Sequence, residues 1–313
     1  MKNPRIHTVF VFCAFLLIGL VASFVARVSR GQSATAKAAP AQIPTAASTL
    51  QRTVSLNASP AAREAASSLF TDAAAENTLL RNDLSWAFGG KSQRGWYLYD
   101  LLIGRTFNLA SDASAAEFAN SVAAWQKQKG LPVNGLVDEQ SLKGLISQWQ
   151  SERLKDKTPA TPDQLLTAPV TDFYDSQRTA ELRQVERRTY DAYKEMLAAA
   201  IADPSLHLAH SGPSELAPAE KYLKIVSAFR SREYQDHLRQ QSPNAGSAGL
   251  AVNSPHFTGR ALDLYVGGDP VDTSDRNRAV QVNTPVYQWL VRNAARFGFQ
   301  PYFYEPWHWE YVK

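Results

Sequence analysis

Cysteine is nearly absent from this 313-residue sequence, which contains one thiol, Cys13, inside an apolar stretch near the N-terminus. The rest of the chain therefore has no disulfide and no thiolate chemistry, and a metal ion there must be held by His, Asp or Glu. The sequence also lacks a large excess of either charge. It has 33 Lys and Arg residues and 29 Asp and Glu residues, which gives a net charge of +4. No long Lys/Arg run is present, which argues against nucleic acid as a partner.

The long hydrophobic run of the sequence covers residues 9–26, with Lys2 and Arg5 before it and further arginines after it. It exceeds the roughly 7–15 residues of a signal-peptide core and falls at the lower end of the roughly 17–25 that span a bilayer. We predict that residues 1–30 are a signal or membrane anchor, with the positively charged N-terminus in the cytoplasm. Cleavage after the small residues that follow is the alternative, and it would give a secreted protein. Either way the bulk of the chain is predicted to lie in the cell envelope, on the extracytoplasmic (periplasmic) side.

Composition divides the remainder into four parts. Residues 31–61 are rich in Ala, Ser, Thr, Gln and Pro and are predicted to be a flexible linker. Residues 62–152 carry helical patterns with many aromatic residues, and a second breaker-rich linker is placed at 153–170. Residues 171–313 form the second predicted domain, which agrees with the roughly two domains expected for this length.

A helix, a turn and another helix are predicted near the end of the helical region. Phe118, Val122 and Trp125 share one helical face, Gly130 ends that helix, and the next begins near Asp138. This segment resembles the small three-helix peptidoglycan-binding domain. The resemblance is carried by Trp125, Gln126, Gly130, Leu131, Pro132, Gly135 and Ser141, the last standing where Thr is commoner. A helical spacer with a turn is the alternative.

The second domain mixes helical and strand patterns. We predict an amphipathic helix from Leu182 to Ile201, a strand over 223–229, a charged helix over 232–240, a strand over 261–266, a helix from a Thr284 cap to Gly298, and a last strand over 303–312. The predicted fold class is α+β, with a small antiparallel sheet flanked by helices and a small helical domain before it.

Two His and one Asp make a candidate metal site. Asp263 lies in a strand whose opposite face is aliphatic, so its carboxylate needs a polar pocket or a cation. His256 comes shortly before it, with Gly259 between them giving the chain freedom to fold back. His308 lies in a strand where it shares a face with Glu310. Two imidazoles and one carboxylate suit Zn²⁺ and leave a position open for water.

Glu305 is predicted to sit in a turn fixed by Pro306, just outside the metal ligands. A carboxylate there can take a proton from water and pass it to a leaving amine, so Glu305 is the candidate catalytic base. Ser254 can orient a ligand or cap the turn before His256, and we place it beside the ligands and not among them.

Arg230 closes an apolar strand, where its guanidinium can hold a substrate carboxylate through two hydrogen bonds. Gln235, in the helix that follows, can bind the same substrate, and Ser231 is included in this substrate-binding set. A surface ion pair is the ordinary alternative for an arginine at a strand end.

Three motifs together resemble the VanY-type D-alanyl-D-alanine carboxypeptidases of the LAS metallopeptidases. They are Ser254-Pro-His256-Phe-Thr-Gly259-Arg-Ala261-Leu-Asp263, Glu305-Pro-Trp-His308 and Phe229-Arg230-Ser231 with Gln235. The resemblance covers roughly residues 180–313 and implies zinc ligands at His256, Asp263 and His308, a base at Glu305, and Arg230 on the terminal carboxylate of the stem peptide. Phe229 stands where the family often has Tyr.

The predicted function is therefore that of a zinc metallo-carboxypeptidase, a hydrolase that removes the C-terminal D-alanine from peptidoglycan stem peptides by attack of zinc-activated water. Its partners are the stem peptides and, through the N-terminal helix, the cytoplasmic membrane. An endopeptidase that cuts peptidoglycan cross-links and a non-catalytic wall-binding protein are the alternatives.

Overall fold

A computed structural model describes residues 70–241 and 253–313. The predicted anchor at 1–30, the predicted linker at 31–61 and the start of the predicted helical region lie outside the described residues. Within the described ranges, each helix is too short or too polar to cross a membrane. The domain boundaries stay predictions.

The N-terminal part of the described chain contains four α-helices and one β-hairpin. Their bounds are α1 Thr71–Asp83, β1 Ser85–Phe88, β2 Lys91–Arg94, α2 Asp100–Thr106, α3 Ala115–Lys129 and α4 Glu139–Glu152. The prediction of a small three-helix domain missed the hairpin and the fourth helix, and is wrong in these two respects. Gly89 and Gly90, both with positive φ, form the two-residue turn that joins β1 to β2. Such a glycine pair between short strands is the sequence signal that could have identified the hairpin.

The predicted helix–turn–helix is confirmed at α3 and α4. Gly130 ends α3 in the left-handed conformation at φ 66°, and the Asp138 side chain caps α4 by accepting from the Ser141 N–H at 2.8 Å. The fully buried Gln126 amide donates to Asn134 Oδ1 at 2.7 Å and to Ser141 Oγ at 2.9 Å. One side chain thus joins the first helix to the turn and the second helix. The likeness to a peptidoglycan-binding domain stays a prediction.

Within residues 153–241 and 253–313, four more α-helices combine with short strands. The helices are α5 Arg187–Ile201, α6 Arg232–Gln241, α7 Asp275–Val282 and α8 Pro285–Asn293. The strands are β3 Leu165–Thr167, β4 Gln184–Glu186, β5 His210–Gly212, β6 Glu215–Leu216, β7 Ile225–Ser227, β8 Ala261–Leu264, β9 Phe299–Tyr302 and β10 Glu305–Tyr311. The main sheet has the antiparallel order β7-β8-β10-β9, and this mixture of helices and small antiparallel sheets agrees with the predicted α+β class.

The helix predicted from Leu182 begins later, at Arg187. Leu182 lies in a short 3₁₀ turn, and the fully buried Val185 lies in β4, paired with Leu166 of β3. The Glu186 carboxylate caps α5 by accepting from the Thr189 N–H at 2.8 Å. Leu182 and Val185 are spaced like the apolar residues of the helix that follows, so the pattern alone predicted one continuous helix. A buried strand residue is as apolar as a buried helix residue, and the spacing does not separate the two.

Aromatic packing joins the N-terminal helices to the turn between β9 and β10. The Phe303 ring in that turn lies 4.8 Å from Phe88, 5.4 Å from Tyr99 and 6.1 Å from Trp149, measured between ring centroids. The buried guanidinium of Arg278 donates to the Tyr99 hydroxyl at 3.2 Å and to the Tyr304 carbonyl at 3.3 Å. The turn that leads into β10, and hence into Glu305, is held from both sides.

Candidate metal centre and active site

Strand pairing places two of the three predicted metal ligands opposite each other. In the β8–β10 ladder Asp263 faces His308, and His256 approaches from the 3₁₀ turn Pro255–Thr258 that precedes β8. All three side chains are buried, with at most 3% of each residue exposed. The charged carboxylate therefore sits in the protein interior, where it needs partners of opposite charge or hydrogen-bond donors.

The three side chains converge on one point. One ligand atom from each of His256, Asp263 and His308 lies within 4.8 Å of the other two. Asp263 Oδ1 is 3.3 Å from His256 Nε2 and 2.9 Å from His308 Nδ1. The predicted ligand set is thus brought together, with both imidazoles turned toward the same carboxylate oxygen.

The second nitrogen of each imidazole is already occupied. His256 Nδ1 donates to the Ala228 carbonyl at 2.6 Å, and His308 Nε2 donates to Glu310 Oε1 at 3.1 Å. With a metal bound, those nitrogens would keep the protons, and His256 Nε2 and His308 Nδ1, which both lie next to Asp263 Oδ1, would be the nitrogens left to bind the ion. Two nitrogens and one carboxylate oxygen, with outer partners that fix each tautomer, fit a zinc ion with a fourth position left open.

Gly259 makes the short approach between His256 and Asp263 possible. Its φ is +67°, and a Cβ atom there would lie 2.9 Å from both the Glu186 backbone nitrogen and Leu165 Cδ2. We expect Gly259→Ala to lower the free energy of unfolding by more than the roughly 1–3 kcal/mol that a left-handed non-glycine residue costs. Urea unfolding of the metal-free protein measures this change.

Gly130→Ala is the matched control for Gly259→Ala, because Gly130 has φ +66° but open space around the added Cβ. It should show the backbone cost alone. If the two variants lose equal free energy of unfolding, the close approach of residue 259 to β3 and β4 does not add to the cost of Gly259→Ala.

Arg230 lies against the predicted metal ligands. Its Nη2 donates to Asp263 Oδ2 at 2.7 Å, its Nε donates to Ser227 Oγ at 2.9 Å, and its Nη1 lies 3.4 Å from Gln235 Oε1. Its side chain is 11% exposed. The ordinary alternative of a surface ion pair therefore does not describe this arginine, which holds one oxygen of Asp263 while the other faces the imidazoles.

The remaining predicted polar residues lie close by. Gln235 is buried next to Arg230 in α6. Ser231 accepts from the Tyr234 N–H at 3.1 Å and so caps α6. Ser254 accepts from the His256 N–H at 3.3 Å and caps the turn that carries this ligand. Contact of Ser231 or Gln235 with substrate stays a prediction.

Glu305 differs from the prediction in its local structure. It does not sit in a turn but is the first residue of β10, opposite Tyr302 in β9, because the turn is made by the two preceding aromatic residues. Its Oε2 lies 4.0 Å from His308 Nδ1, and only 7% of the residue is exposed. The carboxylate therefore lies beside the three ligands.

Burial and mutual charge shift the pKa values of these groups. Burial raises the pKa of Glu305 to about 8 and lowers that of His256 to about 4. Burial also opposes the charged form of His308, but hydrogen bonds to Asp263 and Glu310 outweigh it and raise the pKa to about 9. Burial opposes ionisation of Asp263 as well, yet its cationic and imidazole neighbours hold the pKa of its carboxyl well below its usual range.

Glu310 is a site residue to which sequence reasoning gave no role. It is fully buried, and its carboxylate contacts both His308 and Arg153, the residue that follows α4. Burial opposes its ionisation, but His308 and Arg153 together lower its pKa to about 2. Its position two residues after His308 on a strand was a usable signal, since such residues share a face.

Comparison with known proteins bears on the C-terminal part of the chain. Residues 182–313 match the family model VanY, which is described as D-alanyl-D-alanine carboxypeptidase. Among the curated proteins, none matches the chain.

Three solved structures resemble part of the chain. The structure of the LdcB LD-carboxypeptidase is 23% identical with a TM-score of 0.33, over 49% of this chain and 70% of that one. A variant of the vancomycin resistance D,D-pentapeptidase VanY in complex with Zn(II) is 20% identical with a TM-score of 0.31, over 53% and 89%. VanYB in complex with D-alanine-D-alanine is 22% identical with a TM-score of 0.27, over 44% and 81%. The chain is thus similar to the VanY family over residues 182–313.

Proposed function

We propose that this chain is a zinc-dependent carboxypeptidase that removes the C-terminal D-alanine from peptidoglycan stem peptides. The observation that carries the proposal is the convergence of His256, Asp263 and His308, with the Glu305 carboxylate 4.0 Å from His308. The family description of residues 182–313 supports D-alanyl-D-alanine as the substrate.

The ligand atoms follow from the hydrogen bonds around them. His256 Nε2, Asp263 Oδ1 and His308 Nδ1 would hold the zinc ion, because the other polar atoms of these side chains contact Ala228, Arg230 and Glu310. When bound, zinc supplies a Lewis acid that polarises the scissile carbonyl and makes water acidic enough to attack near neutral pH.

Glu305 supplies the proton transfers. Its carboxylate accepts a proton from the attacking water at one oxygen and then donates that proton to the nitrogen of the departing D-alanine, so the group returns to its starting state. Its burial beside His308 keeps the carboxylate out of bulk solvent, which strengthens its interaction with groups inside the site.

Arg230 is proposed to bind the terminal carboxylate of the stem peptide, with Gln235 and Ser231 nearby. A guanidinium has five N–H donors, more than the three contacts to Ser227, Gln235 and Asp263 use. The same side chain can therefore orient Asp263 and receive a substrate carboxylate. Recognition of a free C-terminus favours removal of a terminal residue over cleavage inside a cross-link.

The rest of the chain is proposed to keep the enzyme at its substrate. Residues 1–30 would export the chain and hold it at the cytoplasmic membrane, and the helical region would bind the cell wall. Attachment at the wall raises the effective concentration of stem peptides around the active site.

Mass spectrometry of muropeptides incubated with the full-length protein tests the proposed function. We expect a purified pentapeptide muropeptide to lose one terminal alanine in the presence of zinc and to stay intact with a chelator. Loss of alanine from a tetrapeptide instead would indicate L,D specificity, and cleavage of a cross-linked dimer would indicate an endopeptidase. Inert pentapeptide, tetrapeptide and dimer would overturn the enzyme proposal in favour of a wall-binding protein.

A further inference from the structure

The Glu310 carboxylate joins a predicted metal ligand to a part of the chain outside the residues that match the VanY model. It is fully buried, and its Oε1 accepts from His308 Nε2 at 3.1 Å and from Arg153 Nε at 3.1 Å. Arg153 Nη2 contacts the same oxygen, and the Leu154 backbone N–H donates to Oε2 at 2.9 Å. Both carboxylate oxygens are thus held by residues 153 and 154, which precede the family match at 182–313.

Arg153 is itself fixed in place. Its guanidinium carbon lies 3.9 Å from the centre of the Tyr302 ring, and its Nη1 donates to Gln150 Oε1 at 2.7 Å. Its side chain is 16% exposed. A stacked guanidinium with a side-chain acceptor on one edge and a carboxylate on the other has little freedom to move.

These contacts define what Glu310 does to His308. The Glu310 carboxylate accepts from His308 Nε2 and sets the rotation of the ring, so that Nδ1 points toward Asp263 and would be the nitrogen that binds zinc. Arg153 and the Leu154 N–H in turn fix the Glu310 carboxylate, because they contact both of its oxygens. Without Arg153, the Glu310 carboxylate would lose contacts that hold it in place, and His308 would be a less ordered ligand.

We propose that Glu310 is a positioning residue for His308, and that Arg153, from the segment before the residues that match the VanY model, holds the Glu310 carboxylate in its orientation. This inference rests on the proposed zinc site and deepens it, because a region outside the peptidase domain becomes part of the metal site's support. The aromatic packing of Phe88, Tyr99 and Trp149 on Phe303 places the same region next to the turn before Glu305.

Zinc affinity of the full-length protein, measured by competition with a chromophoric chelator, tests the inference. We expect Arg153→Ala and Glu310→Gln each to weaken zinc binding about 10–100-fold, the usual effect of losing a partner of a metal-bound His. The double variant should bind zinc no more weakly than Glu310→Gln alone, because both residues act through one carboxylate. Arg153→Lys should bind zinc more tightly than Arg153→Ala but less tightly than the wild type, because lysine keeps the positive charge but lacks the several N–H donors of the planar guanidinium.

Arg105→Ala is the matched control. Arg105 lies in the same N-terminal region and also reaches the main sheet, but its contacts are with Glu152 at 3.4 Å and Gln300 at 3.2 Å. We expect this variant to bind zinc like the wild type even if its metal-free melting temperature falls. The metal-free melting temperatures of all variants separate a loss of stability from a loss of affinity.

The outcomes separate the inference from the proposed function. If the wild type binds zinc and both Arg153→Ala and Glu310→Gln match it within about twofold, a change well below the expected range, the inference is wrong and the zinc site stands. If the wild type binds no zinc, the proposed function fails and the inference fails with it. Should Arg153→Ala not fold, Arg153→Lys and Glu310→Gln still decide the question, because both retain most of the buried side-chain volume.

Discussion

Replacing Glu305 with glutamine is expected to lower kcat for D-alanine release by about 10²–10⁴-fold while zinc stays bound. Glutamine keeps the shape of the buried side chain but cannot accept and return a proton at the position beside His308. Release of D-alanine from a pentapeptide stem gives kcat, and metal analysis of the purified variant gives the zinc content.

Glu195→Gln is the control for this substitution, because Glu195 is exposed on α5 and the charge change is the same. Its kcat should equal that of the wild type. Loss of a general base changes kcat far more than a few-fold. If the Glu305→Gln protein keeps kcat within a few-fold of wild type, Glu305 is not the catalytic base. A variant that loses its zinc would show instead that Glu305 is a ligand.

Asp263→Asn is expected to have the second large effect, on metal binding and on stability together. It removes the negative charge of the proposed ligand oxygen from a site whose other two ligands are neutral imidazoles. Zinc affinity should therefore fall by more than the roughly 10–100-fold expected when a residue that only hydrogen-bonds to a ligand is lost. It also removes the charge partner of Arg230, at 2.7 Å, with side chains that are 11% and 2% exposed. Breaking a buried ion pair costs about 3–5 kcal/mol, which urea unfolding of the metal-free protein would detect.

Asp83→Asn provides the comparison for stability. The Asp83 carboxylate also lies 2.7 Å from a guanidinium, that of Arg94, but both side chains are more than half exposed. Because exposed ion pairs contribute little, its unfolding curve should nearly overlay that of the wild type. Equal losses in Asp83→Asn and Asp263→Asn would contradict the view that Asp263 is a buried, charge-compensated ligand.

That His256, Asp263 and His308 lie together could be predicted from the sequence because local patterns mark all three residues. Strand alternation placed Asp263 and His308 on polar faces, and the left-handed Gly259 allowed the turn that carries His256. The structure brings these three side chains together as predicted. The capped helix that begins at Thr284 and Pro285 was equally readable, since its signals lie within a few residues of one another.

Features that depend on distant parts of the chain could not be read in this way. Arg153 contacts Glu310 across 157 residues of sequence, and the Phe303 turn is packed by rings from the N-terminal region. The engagement of Arg230 with Asp263 is likewise set by the pairing of β7 with β8 and not by either motif alone. Such contacts follow from tertiary packing, which a local period does not encode.

Zinc titration of the metal-free, full-length protein, with D-alanine release from a pentapeptide stem as the readout, tests the central claim most directly. The proposal that His256, Asp263 and His308 form one catalytic metal site predicts that activity is absent without metal and rises to a plateau at one zinc per chain. The Asp263→Asn protein should stay inactive at the same zinc concentrations. Full activity of the metal-free protein, or no release of D-alanine at any zinc content, would contradict the account.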